Sequence, residues 1–242
     1  MMVTAFAGLL FPLLIGNFAT AAIVQFDFVG TVTNRFNNGL PDPSDIFGLS
    51  VEMGDAVTGS FTIDTSVTPF LTIDGAIGGS AAGYMQMPPL GISVNLAGGV
   101  FSSDGNFSSA TVNEFQNDAM FPPSEQFGVS DGVSSGTQDV SGDTILLDGS
   151  PETARLAITF TDFDLTAFSS TMLPTSLDLS QFEISEGTVS GTRPSGQANP
   201  FFYQAAFRID SITATAIPEP SAIAFLGCIT VTASLRRKRC NK

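Results

Sequence analysis

Apolar residues recur at every second position in five separate stretches of this chain, and that period of two is what most narrows the folds open to it. Phe26, Phe28, Gly30 and Val32 alternate with Gln25, Asp27, Thr31 and Thr33, with Val29 out of pattern. Val57, Gly59, Phe61 and Ile63 oppose Thr58, Ser60, Thr62 and Asp64. Ile92, Val94 and Leu96 alternate with Ser93 and Asn95, and Leu156, Ile158 and Phe160 with Ala157 and Thr159. Phe201, Tyr203, Ala205, Phe207 and Ile209 share a face, and the run continues through Ile212, Thr213, Ala214 and Thr215 towards Pro218. Successive side chains of a strand point to opposite faces, so each stretch offers one face to a core and the other to water.

Turn-forming clusters punctuate these runs: Asn37-Asn38-Gly39, Pro41-Asp42-Pro43, Gly78-Gly79, Ala97-Gly98-Gly99 and Pro122-Pro123, with residues 191–199 as another. No stretch between them keeps a helical apolar period for a dozen residues. The expected fold is all-β, an antiparallel β-sandwich or jelly-roll-like single domain over residues 22–217. Residues 121–142, the richest loop signal, read as a long surface insertion. The 22 Phe are expected to fill the core, for which 43% apolar residues suffice.

The two ends read differently. Residues 3–15, VTAFAGLLFPLLI, have the length of a signal-peptide apolar region and are short for a membrane span. Ala19-Thr20-Ala21 fits the small-x-small cleavage pattern, making residues 1–21 a signal peptide with Ala19 and Ala21 at the cut. The other reading of this stretch is a buried N-terminal apolar segment. At the far end, Pro218 and Pro220 stop a strand, and Ser221 is placed to cap a helix starting after it. Residues 221–235 form an uncharged run of about 22 Å as a helix, below the ~30 Å hydrocarbon core, so it would span only with local thinning or snorkelling. Arg236, Arg237, Lys238 and Arg239 come next and would stay cytoplasmic, leaving the body outside.

This ordered ending, with motif 217–221, apolar helix 221–235 and basic cluster 236–242, resembles the PEP-CTERM sorting signal of bacterial exported proteins. The resemblance implies recognition by an exosortase, an integral-membrane transpeptidase-like enzyme. It would cut near Pro218, Glu219 and Pro220 and release the body to the cell surface or an exopolysaccharide matrix. Those three residues would be a substrate motif, and residues 218–242 a tail that anchors the chain in the inner membrane until processing. An ordinary C-terminal anchor following two prolines is the alternative. A second resemblance covers residues 23–64. Phe28-Val29-Gly30-Thr31-Val32-Thr33 and then VEMGDAVTGSFTID at 51–64 look like the opening of many PEP-CTERM proteins, with Gly54-Asp55 suited to a tight turn and Thr58 and Ser60 to a solvated face.

Charge sharpens the division. Five of nine basic residues lie in the last seven positions, whereas residues 22–217 hold four basic against 22 acidic residues, a net of −18. An acidic body without Lys argues against nucleic acid as a partner. The two cysteines, Cys228 and Cys240, flank the basic cluster and are not expected to pair, so the body folds without disulfides.

The chain has no His, which removes Ser-His-Asp and Cys-His catalysis and imidazole metal ligands. Carboxylates remain. Asp162 and Asp164, at the end of an alternating run with Phe163 opposite, would share one side. No cofactor is expected, although such a pair would suit Ca²⁺ or serve as acid and nucleophile at a glycoside. Solvated carboxylates at a strand end is the plainer reading. Asp131, Asp139, Asp143 and Asp148 alternate with glycines and are further calcium candidates, although no EF-hand loop fits. Tyr84 and Tyr203 are the only tyrosines and Trp is absent, a poor supply of sugar-binding platforms. The favoured expectation is a non-catalytic exported surface or matrix protein with exosortase, the secretion machinery, the membrane and exopolysaccharide as partners. The alternative is a carbohydrate-binding module or a carboxylate-dependent glycoside-active enzyme of the matrix.

Overall fold

The computed structural model describes residues 23–37, 45–46, 49–73, 79–102, 107–115, 123–130, 144–147, 150–193 and 201–217. They form β1 (Ile23–Asn37), β2 (Asp45–Ile46), β3 (Leu49–Ser50), β4 (Ala56–Asp64), β5 (Leu71–Ile73), β6 (Ser80–Gln86) and β7 (Ile92–Leu96). The chain continues through β8 (Gly99–Ser102), β9 (Phe107–Phe115), β10 (Ser124–Ser130), β11 (Thr144–Leu147), β12 (Ser150–Asp162), β13 (Ile184–Arg193) and β14 (Phe201–Ile217). A 3-10 turn at Leu179–Gln181 is the only helical element among the described residues. The described residues are all-β, as their period of two requires.

Twelve strands make one antiparallel sheet in the order β5-β6-β9-β10-β12-β13-β14-β1-β4-β7-β8, with β11 paired to β12. The sheet curls back on itself. Strands β4 and β10 are five steps apart, about 24 Å across a flat sheet at ~4.8 Å per strand. Yet the rings of Phe61 on β4 and Phe127 on β10 have centroids 6.1 Å apart. The two wings therefore face each other, sandwich-like, with a continuous file of rings between them: Phe26 to Phe61 at 4.8 Å, then Phe127, then Phe160 a further 6.2 Å on. Gln86, buried at the end of β6, accepts from the Asp64 amide at 2.9 Å and ties the wings together at the end of β4.

The alternating faces fall as expected. Val24, Phe26, Phe28 and Val32 are buried, as are Val57, Phe61 and Ile63, and the odd residue Val29 is 47% exposed. The same holds for Ile92, Val94 and Leu96, for Leu156, Ile158 and Phe160, and for Tyr203, Ala205, Phe207 and Ile209. Two glycines on these strands make room for rings. Phe28 lies opposite Gly59 and Phe207 opposite Gly187, and the two rings stack at 5.9 Å. A Cβ on either glycine would overlap the ring across from it. The spare surface of each glycine is thus covered by a neighbouring strand's aromatic ring, a known compensation for glycine in sheets.

Turn chemistry agrees with backbone geometry at two places. Gly54 has φ of 94°, and the Glu52 carbonyl accepts from the Asp55 amide at 3.2 Å, closing the tight turn before β4. Ala97 and Gly98 both have positive φ, 48° and 81°, in the two-residue loop between β7 and β8, as a type I′ hairpin requires.

Two expectations need correction. Residues 121–142 are not one insertion: β10 runs through their first half, inside the sheet between β9 and β12, with Phe127 and Val129 buried. Only two apolar residues mark it, and the flanking Pro and Gly-Ser clusters mask that short alternation. Nor is phenylalanine uniformly core, since Phe36, Phe70 and Phe163 are exposed.

Candidate functional site

Strands β10 and β12 set Glu125 directly opposite Asp162 at one end of the sandwich. Both carboxylates are buried, at 1% and 0% exposure. Each is in phase with the core face of its strand, Glu125 with Phe127 and Val129, Asp162 with Leu156, Ile158 and Phe160. Alternation alone dictates that they point inwards. Sequence reasoning passes over Glu125, although a carboxylate two residues before a core Phe is a readable signal.

Residues 163–183 fold over this end and supply the hydrogen-bond donors that the acids require. Asp162 accepts from the amides of Asp164 and Thr166, each at 2.6 Å, from the Ala167 amide at 2.8 Å and from the Thr166 hydroxyl at 3.3 Å. Glu125 accepts from the Phe168 amide at 2.7 Å. Two more tethers complete the closure: the Tyr84 hydroxyl donates to the Thr171 carbonyl at 2.7 Å, and the Phe163 amide donates to Glu183 at 2.8 Å. Leu165 takes a left-handed conformation, φ 59°, where the chain wraps around the Asp162 carboxylate. Burial pushes the Asp162 pKa up, but the amides of Thr166, Asp164 and Ala167 and the Thr166 hydroxyl outweigh it and hold the group below the usual aspartate value.

Asp162 and Asp164 therefore do not share one side. The strand ends at Asp162, the period of two ends with it, and Asp164 is exposed on the bend beyond. The reading of Asp162 as a solvated strand-end carboxylate is also overturned, because its oxygens are enclosed and occupied by backbone donors. Among the described residues no three His, Cys, Asp or Glu side chains converge as a metal site. Tyr84 and Tyr203, at 5% and 0% exposure, present no face to a ligand.

A second feature lies where β13 and β14 part. Strand β14 carries an extra residue, Asp210, at the register shift against Val29 and Gly30, and β1 carries Thr33 at the shift against Phe207 and Ala206. The Thr31 hydroxyl at 2.6 Å and Arg208 Nε at 2.7 Å both donate to Asp210 and lower its pKa. Beside this bulge is an open groove of about 480 Å³, lined by Thr33, Phe182, Glu183, Glu186, Arg208 and Asp210 among others. Past the bulge, β14 continues beside β1 to Ile217, which pairs with Ile23, with no second strand partner among the described residues.

The remaining sequence-derived positions lie outside the described residues. These are Ala19 and Ala21, Pro218, Glu219 and Pro220, Arg236, Arg237, Lys238 and Arg239, and the loop acids Asp131, Asp139, Asp143 and Asp148. Among the described residues no helix is long and apolar enough to cross a membrane. What the described residues define is an all-β protein built on one curled antiparallel sheet. No protein-family model, curated protein or solved structure matches the chain.

Proposed function

We propose that the chain is a non-catalytic exported protein of the cell surface or extracellular matrix, led out by residues 1–21 and sorted by an exosortase through residues 218–242. The supporting observation is that the two ends of the described body lie side by side in the sheet. Strand β1 begins at Ile23 and β14 ends at Ile217, and these two residues are register partners. Cuts after Ala21 and near Pro218 would leave every described strand of the sheet intact. In this reading the body is an antiparallel sandwich or jelly roll, kept soluble by its net charge of −18 and associated with exopolysaccharide, divalent cations bridging like-charged partners.

The competing reading, a carbohydrate-binding module or glycoside-active enzyme, needs carboxylates and an aromatic face open to a sugar. Glu125 and Asp162 are spent on the closing loop and both tyrosines are buried, which leaves that reading the groove acids Glu183, Glu186 and Asp210 beside Phe182. Fractionation of the producing cells with mass spectrometry of the mature termini tests the proposal. The expected product starts near Ala22, ends near Pro218 and is found outside the inner membrane, while a chain lacking residues 218–242 stays folded but does not reach that location. Recovery of the full chain, uncut, from the inner membrane would overturn it.

A further inference from the structure

The last seven residues of β14 form an edge that the other described strands leave open. Strand β13 follows β14 only as far as the Glu186–Arg208 pair, so residues 211–217 have β1 on one side and, among the described residues, no strand on the other. The direction of their backbone groups follows from β1. The Val32 amide donates to Asp55 and its carbonyl accepts from Gly54, both at 2.9 Å, so Val32 faces the β4 side. Between Val24 and Val32 the only register shift adds a residue to β14 and none to β1, and alternation carries the assignment down. Phe28, Phe26 and Val24 face β4, while Asp27, Gln25 and Ile23 face β14. Their partners Thr213, Thr215 and Ile217 are therefore the residues bonded to β1. Ile212, Ala214 and Ala216 direct their N–H and C=O groups outwards.

This edge spans about 23 Å at ~3.3 Å per residue. Its sequence, SITATAI, carries no charge and no Pro in a body of net −18, so it lacks the devices that usually blunt an exposed edge. Five of its seven side chains, Ser211, Thr213, Ala214, Thr215 and Ala216, are small and exposed, while Ile212 and Ile217 are half-buried. Pro218 comes directly after Ile217 with no spacer, so an enzyme acting at residues 218–220 works within about 10 Å of the edge.

Resting on the sorting reading above, we infer that residues 211–217 are a docking edge for the membrane-embedded enzyme that processes the tail, which adds a strand of its own to β14 and so aligns the cut site. Strand addition draws its affinity from main-chain hydrogen bonds, which the outward N–H and C=O groups of Ile212, Ala214 and Ala216 offer. A second copy of this chain is the poorer occupant. Two-fold antiparallel pairing would send the two chain ends in opposite directions, whereas precursors tethered in one membrane leave it in the same direction, and two bodies of −18 repel.

The test is pulse-chase conversion of the full chain in its producing cells, together with melting of the purified body. A214P and A214P/A216P remove outward-facing donors. They are expected to leave the melting temperature unchanged and to lengthen the half-time of tail removal about tenfold for the double variant. T213P/T215P break the ladder to β1 and are expected to lower the melting temperature. A ten-residue Gly-Ser spacer between Ile217 and Pro218 uncouples the edge from the cut and should slow conversion as well. Conversion of A214P/A216P and of the spacer variant at the parent rate overturns the docking edge and leaves the sorting reading standing. A drop in melting temperature for A214P/A216P overturns the assignment of the open edge. A parent body that is dimeric and becomes monomeric in A214P/A216P makes a second copy the occupant and overturns the inference. A parent chain that is never cut overturns the sorting reading and this inference with it.

Discussion

The phenylalanine-lined interior and the loop of residues 163–183 that closes one end of it rest on the same strands, yet different interactions hold them. Inside, Phe26, Phe61, Phe127 and Phe160 succeed one another ring to ring, and Phe28 and Phe207 stack above Gly59 and Gly187. Those contacts involve no titrating group and stabilise by removing apolar area from water. At the closed end, the holding groups are Asp162, Glu125, Tyr84 and Glu183, each bonded to a backbone atom of the loop. The first region is indifferent to protons; the second depends on them. Burying a carboxylate is costly unless donors surround it, so the loop and Asp162 require each other.

Three substitutions separate the two regions. Phe207→Ala is expected to cost most, about 3–5 kcal/mol, because it leaves a cavity beneath Phe28 and uncovers Gly187. Urea unfolding at pH 7 and at about pH 4 should return the same loss for this variant. A loss that changes with pH would place a proton-linked group within the apolar file of rings. Asp162→Asn comes next, at about 2–3 kcal/mol, since it puts an amide among amide donors and removes charge-assisted bonds. Its cost should depend on pH in one direction. The folded pKa of Asp162 is lowered, so its contribution is complete above the unfolded value near 3.9 and fades as pH falls through the folded pKa. Melting curves of parent and variant should therefore converge in acid, and a constant gap down to about pH 2 would refute the role given to the carboxylate. Tyr84→Phe keeps the ring and loses the bond to Thr171, about 1 kcal/mol, and proteolysis should then find residues 163–183 before the sheet opens globally. Equal protection of the loop in parent and variant would mean that this tether is dispensable.

Much of the sheet was legible from alternation, because a strand with one face in a core must place apolar residues two apart. The five alternating stretches all became strands, and their apolar side chains that are described lie buried on the expected face. The Gly54-Asp55 and Ala97-Gly98 turns were legible because positive φ has a local chemical signature. Strand β10 was hidden: Phe127 and Val129 are too short a pattern to stand out beside Pro122, Pro123 and the Gly-Ser run. The pair at the closed end was half visible. Asp162 drew attention as an acid beside another acid, but the feature that mattered was its phase with Phe160, and the same phase rule applied to Glu125 would have marked both as buried.

The class of fold and the faces of the principal strands stem from the order of residues, since alternation acts over a few positions. Three other properties belong to the tertiary structure. That β4 and β10 face each other, that Asp162 finds its donors in the five residues after it while Glu125 finds one 43 residues away, and that β14 outruns β13 to leave an edge open among the described strands are all consequences of which strands become neighbours. Neighbours are chosen by packing across the whole sheet, and no local pattern in the chain records that choice.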